Sequence, residues 1–125
     1  MSLKNIGLNF IIIIQLIVFI SINSQGQSMV SGSIKLDTTW RKEIFASVIP
    51  TLTDMYKCSD NLIISSSPID GSGNWKLNVP IKKEPYFIRL SVVKKKDPIA
   101  SLIIGGHNQN YCFIAIDNKP QIIYI

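Results

Sequence analysis

Asn74-Trp-Lys-Leu-Asn-Val79 alternates without a break, with Trp75, Leu77 and Val79 apolar and Asn74, Lys76 and Asn78 polar. A period of two sends successive side chains to opposite faces of an extended chain, so the segment predicts a strand with one dry and one wet face. Pro80 has no backbone N–H to give to a ladder and closes the strand. On the other side, Pro68-Ile-Asp-Gly-Ser-Gly73 is turn chemistry, which brings the chain into the Trp75 strand from an earlier one.

The same period extends outward in both directions. Val30, Gly32, Ile34 and Leu36 oppose Ser31, Ser33, Lys35 and Asp37, which predicts a strand over Val30 to Asp37. Leu62 to Ser66 reads as a strand, and the β-branched and aromatic run Tyr86 to Val93 as another. Ala100 to Ile104 and Tyr111 to Ile116 read as two strands of a hairpin, joined by Gly105-Gly-His-Asn-Gln-Asn110, whose residues tolerate positive φ. Gln121 to Ile125 reads as a final strand. Between Arg41 and Cys58, Ile44, Val48, Leu52 and Tyr56 recur every four residues, but Pro50 interrupts a helix there. The reading is a strand over Glu43 to Ile49, then a helical turn from Leu52 to Tyr56. The fold class expected is all-β, an antiparallel sandwich of about seven short strands.

The amino terminus has a different character. Between Lys4 and Lys35 no side chain is charged, and the run from Phe10 to Ile22 is interrupted only by Gln15 and Ser21. A positive start, a short apolar stretch and small residues before a cut make a signal peptide. Lys4 supplies the charge, and Ser24 and Gly26 the small residues before a cut ahead of Gln27. The run is shorter than the ~20 residues of a spanning helix. The expected organisation is a hydrophobic signal helix within residues 1–26 and one β-sandwich domain over 27–125, exported to the periplasm or the exterior. An uncleaved anchor is the alternative, and membrane contact is expected only through it.

The leader carries one of the 13 basic side chains and none of the 8 acidic ones, so the remainder keeps a modest basic surplus. Long-range attraction to an anionic surface follows from such a surplus. Export separates the chain from nucleic acid, and no nucleic-acid-binding motif is present. Two cysteines, Cys58 and Cys112, face an oxidising compartment. Either they form a disulfide, typically stabilising by ~2–4 kcal/mol, or Cys112 stays a small buried hydrophobe in its strand.

Gly32-Ser-Ile-Lys-Leu36, Ile64, Ile69-Asp70 and Gly73-Asn-Trp-Lys-Leu77 together resemble transthyretin-like or carboxypeptidase-regulatory-like β-sandwiches. In that frame a strand ends in Asp, a glycine turn follows and the next strand opens on an aromatic. The resemblance implies a prealbumin/Ig-like topology. Ile44-Phe-Ala-Ser-Val-Ile-Pro50, Leu62-Ile-Ile64 and Asp97-Pro-Ile-Ala-Ser-Leu-Ile-Ile-Gly-Gly106 narrow it further. They resemble the exported amino-terminal domain of single-pass helix-turn-helix regulators from Bacteroidetes-type bacteria. No spanning helix or DNA-binding domain is expected after Ile125, so a shortened outer domain is the expectation and the regulator's output is not carried over.

No catalytic residue is expected. Asp70-Gly-Ser-Gly-Asn74 imitates the start of a calcium loop, but the positions that need Gly and Glu hold Trp75 and Ile81. Gly71 and Gly73 lead into a strand, not into the helix of a phosphate loop. His107 is the sole histidine, so any nucleophile–histidine pair must use it, and it lies in a polar turn. Cys58, His107 and Cys112 make a thin zinc set, and no metal or other cofactor is expected. Lys94-Lys-Lys-Asp-Pro98 is the densest charge run, and its other reading is a solvated strand end that discourages edge pairing. Trp40, beside Thr38, Thr39 and Arg41, is the tryptophan expected to be exposed, whereas Trp75 is expected in the core. The candidate ligand-binding residues are therefore Trp40, Lys94, Lys95 and Lys96. The expected function is a non-enzymatic exported module for sensing or protein interaction, with binding of a cell-surface glycan as the alternative.

Overall fold

The computed structural model describes residues 17–22, 27–117 and 121–124, the first and last of these through their backbone. Eight strands are described: β1 (Ile17–Ile22), β2 (Gln27–Ser33), β3 (Glu43–Val48), β4 (Ile63–Pro68), β5 (Asn74–Pro80), β6 (Tyr86–Ser91), β7 (Tyr111–Ile116) and β8 (Gln121–Tyr124). They form two four-stranded sheets, ordered β5-β2-β1-β8 and β4-β3-β6-β7. Every pairing is antiparallel. The fold is a two-layer β-sandwich.

The alternation read from the sequence becomes the core. In β5, Trp75, Leu77 and Val79 are buried and the residues between them exposed. They meet Val30 of β2 and, from the opposite sheet, Ile44, Ala46, Ile88, Leu90, Ile114 and Ile116. Apolar surface withdrawn from water on both inner faces drives the two layers together. Pro80 sits at the end of an edge strand, opposite Gln27, where a missing N–H is harmless.

β4 and β5 belong to different sheets, and the turn between them joins the two layers along one side. Asp70 organises it: its Oδ1 accepts the N–H groups of Ser72 at 2.8 Å and Asn74 at 2.9 Å. Gly73 has φ +87°, and a Cβ there would lie 2.3 Å from the carbonyl oxygen of Ile34. Only glycine suits both the turn and that close approach. The Ile34 N–H donates to the Gly73 carbonyl, one step beyond the Ser33–Asn74 pair, and ties the turn to the end of β2. The strand expected over Val30 to Asp37 is instead β2, Gln27–Ser33, and Ile34 to Asp37 lie beyond it.

Two further expectations are corrected. Ala100 to Ile104 form no strand; this stretch is irregular, and the Asn110 side chain takes up its polar backbone groups. The helical turn expected at Leu52 to Tyr56 is a single 3-10 turn at Leu52–Asp54, followed by another at Asp60–Leu62. Pro50 precedes the first, and the Asp54 carboxylate anchors it by accepting the Thr51 N–H and hydroxyl. Ile17–Ile22, the second half of the apolar run, is extended and lies between β2 and β8. Its Ile and Val residues have little helix preference and high strand preference. The remainder of the expected signal helix and the Ser24 to Gly26 cleavage motif lie outside the described residues. Among the described residues no helix is long and apolar enough to cross a membrane.

Candidate functional site

At one end of the sandwich, β2, β4 and β6 finish while β3, β5 and β7 begin, so three connections gather there: 34–42, 69–73 and 92–110. Loops carried by rigid sheets are where binding residues concentrate. Lys35, Arg41, Lys42, Lys94, Lys95 and Lys96 occupy this end, against Asp37, Asp70 and Asp97. It holds every ligand-binding residue expected from the sequence.

Trp40 and Lys94 are brought together by an isolated antiparallel bridge. Around it Arg41 donates its N–H to Val93, and Lys95 donates to Thr39. The ammonium of Lys94 lies 5.5 Å from the centroid of the Trp40 ring, a cation–π contact. Trp40 itself is only 3% exposed. Its ring is core, because the bridge draws the loop inward, and it is not offered as a sugar-stacking platform. Lys95 and Lys96 are exposed and Lys94 half-buried, so the basic part of the expected site remains on the surface.

Asp37 turns the loop. The Thr39 hydroxyl and backbone N–H both donate to its Oδ1 and hold the carboxyl below its ordinary value, with Lys94 and Lys42 adding attraction. Lys42 reaches back to donate to the carbonyls of Leu36, at 2.7 Å, and Asp37, at 3.1 Å. Beside it an open cleft of about 400 Å³ is bounded by Ile34 to Leu36, Lys42 and Ile69 to Gly73. The Asp70 carboxylate at its rim is already occupied by two backbone donors, which makes it part of a turn. Among the described residues no group of three or more His, Cys, Asp or Glu is placed to hold a metal ion. His107 is exposed in the 92–110 connection.

Two polar side chains that the sequence reading did not single out hold this scaffold. Asn110 is 1% exposed. Its Oδ1 accepts the Ile103 N–H at 2.7 Å, and its Nδ2 donates to the carbonyls of Val92 at 2.7 Å and Ser101 at 2.9 Å. One amide thus replaces a strand pairing for the connection it closes. Its place in a polar Gly/Asn/Gln run gave no sign of this. Arg89 also is 1% exposed, on the outer face of β6, opposite Ile88 and Leu90. It donates to the carbonyls of Met55 at 2.6 Å and Lys57 at 3.0 Å, stapling the 50–62 connection over the sheet. Tyr56 of that connection packs edge-on against Tyr111 and Phe113, with ring centroids 5.9 Å apart in both cases. Burial pulls the Arg89 guanidinium below its ordinary value, while Cys58 and Tyr111 oppose that shift. A single charge in the β-branched run Tyr86 to Val93 was the available signal.

Both cysteines are free thiols in the structure. Cys112 points into the core between the layers, where burial pushes its thiol up to about 12. Cys58 is exposed and belongs to the connection that Arg89 holds on the outer face of the same sheet. A bridge would have to pass through the β-sheet, so the disulfide expected as one alternative is not formed. Comparison with family models, with curated proteins and with solved structures gives no match.

Proposed function

We propose that this chain is a non-enzymatic, exported β-sandwich module that senses or binds a partner protein through its basic loop end. The observation that carries the reading is the placement of Lys94, Lys95 and Lys96: the Trp40 bridge and the cation–π contact fix the first, and the other two project into solvent. A fixed cluster of like charge raises the local concentration of an anionic partner and speeds encounter. Two antiparallel layers and the Asp70-to-Gly73 turn into an aromatic strand also support kinship with the prealbumin/Ig-like outer domains of single-pass regulators. Here the chain would serve as the outer, ligand-reading part. The burial of Trp40 removes the stacking half of a glycan site, so a protein partner is preferred over a sugar.

The test is capture by photo-crosslinking from the exported fraction, with the chain labelled beside Lys96. A discrete crosslinked partner, lost at raised salt and in the Lys94→Glu, Lys95→Glu, Lys96→Glu variant, is expected. Identical capture by that variant would refute the loop end as the contact. Recovery of the native chain from the cytosol would refute export.

A further inference from the structure

The segment expected to leave with the signal peptide occupies an interior position in a sheet. β1 pairs with β2 along its whole length, from Ile17 opposite Ser33 to Ile22 opposite Ser28. On its other edge it pairs with β8, from Ile17 opposite Tyr124 to Ile20 opposite Gln121. β8 has no other strand partner among the described residues. A cut after Gly26 would therefore vacate a slot whose two walls are unpaired backbone edges.

The slot also has a floor. The turn between β4 and β5 sets one side of the sandwich, and β5 lies against β4 and β3. The two strand orders then lay β1 and β8 over β6 and β7. The inner residues of those strands are Ile88, Leu90, Ile114 and Ile116, each at most 2% exposed. With β1 gone, an apolar floor opens beside a seven-residue strand edge, Gln27–Ser33. Exposed hydrophobic edges of this kind recruit another strand.

We propose that the slot between β2 and β8 is a strand-acceptor site. The uncut chain fills it with residues 17–22, and the processed chain fills it with an extended segment of a partner protein running antiparallel to β2. The chemistry of the partner is read from the segment it replaces, Ile-Val-Phe-Ile-Ser-Ile: about six residues, uncharged, β-branched and without proline. Backbone pairing gives the affinity, and the apolar floor selects against charge at alternate positions. The inference rests on the export reading above, since it is cleavage of the exported leader that empties the slot, and it adds a surface separate from the basic loop end.

The experiment uses the full-length chain with residues 23–26 replaced by a specific protease site, cut after folding. The amino-terminal fragment should stay with the body through gel filtration. It should then exchange, one for one, with a labelled, lysine-flanked peptide of residues 17–22. A peptide carrying Phe19→Pro should bind at least about tenfold more weakly, because proline removes a ladder donor. Three results overturn the proposal. A folded monomeric body that refuses the peptide means that β8 has stepped across to β2. A dimeric body that refuses it means that two copies have paired their edges. A body that unfolds when the fragment leaves means that residues 17–22 are a fixed strand. The export reading fails by a different result, recovery of the native chain from the cytosol, and the cut after Gly26 fails if the exported chain still carries Met1.

Discussion

Asn110→Ala is the most informative single substitution. The native amide makes three hydrogen bonds from a side chain that is 1% exposed, and they hold Val92, Ser101 and Ile103 together. Each such bond contributes a net ~1 kcal/mol, and a buried group left without a partner costs about 1–3 kcal/mol. Val92 is buried while Ser101 and Ile103 are half-buried, so water can reach two of the three orphaned groups. The loss should therefore be about 3 kcal/mol, a large part of the ~5–15 kcal/mol that holds a domain. For a domain near this size it corresponds to a fall in Tm of roughly 12–20 °C. Urea unfolding followed by tryptophan fluorescence measures the loss, and amide exchange at Ile103 locates it. Asn110→Asp sharpens the test, because a carboxylate accepts the Ile103 N–H but donates to neither carbonyl. Its burial beside those carbonyls raises its folded pKa above the unfolded value. Stability of that variant should be highest at acid pH and fall as pH rises through the folded pKa. A loss below about 1 kcal/mol for Asn110→Ala, with Ile103 still protected, would refute the role given to this side chain.

Gly73→Ala should destabilise by more than about 2 kcal/mol, since its Cβ meets the Ile34 carbonyl at 2.3 Å and φ is +87°; an unchanged melting curve would contradict the turn geometry. Arg89→Met leaves the carbonyls of Met55 and Lys57 without their charged donor, so roughly 2–4 kcal/mol should be lost. Trypsin should then cut after Lys57 much faster than in the native chain, and equal cutting rates would dismiss the staple. A thiol reagent should label Cys58 at once and Cys112 only on unfolding. The folded pKa of Cys112, about 12, is raised above its ordinary 9.0, so its contribution to stability is complete below about pH 9 and declines as pH climbs toward 12. Cys112→Ala should remove that part of the alkaline decline; an unaltered profile would assign it elsewhere.

The sheets were legible where a single face is dry. β5 follows its alternating sequence residue for residue, and β6 and β7 lie where β-branched and aromatic residues run together. Ala100 to Ile104 misled because an apolar run has no period of its own. What denies it a strand is one amide six residues further on, a contact that no local pattern contains. Trp40 misled for a similar reason: its neighbours are loop residues, but a bridge to Lys94, distant in sequence, decides its burial. The apolar run at the start carries two compatible readings, a leader by length and flanks and a strand by its Ile and Val content. Only a sheet with β2 and β8 on either side selects the second for residues 17–22. Of the basic site, the cluster Lys94 to Lys96 was visible in the sequence, whereas the reach of Lys42 to the Leu36 and Asp37 carbonyls was not.

The grip on the 50–62 connection has one consequence for its behaviour in acid. Arg89 is met there by two neutral carbonyl dipoles. A carboxylate partner would be protonated in acid and the clasp would slip; peptide oxygens have no proton to gain in that range. Souring of the surroundings should thus leave these two bonds in place, while the Asp37 corner depends on an ionised acid. The arginine clasp is indifferent to acidity, whereas the corner at the loop end is not.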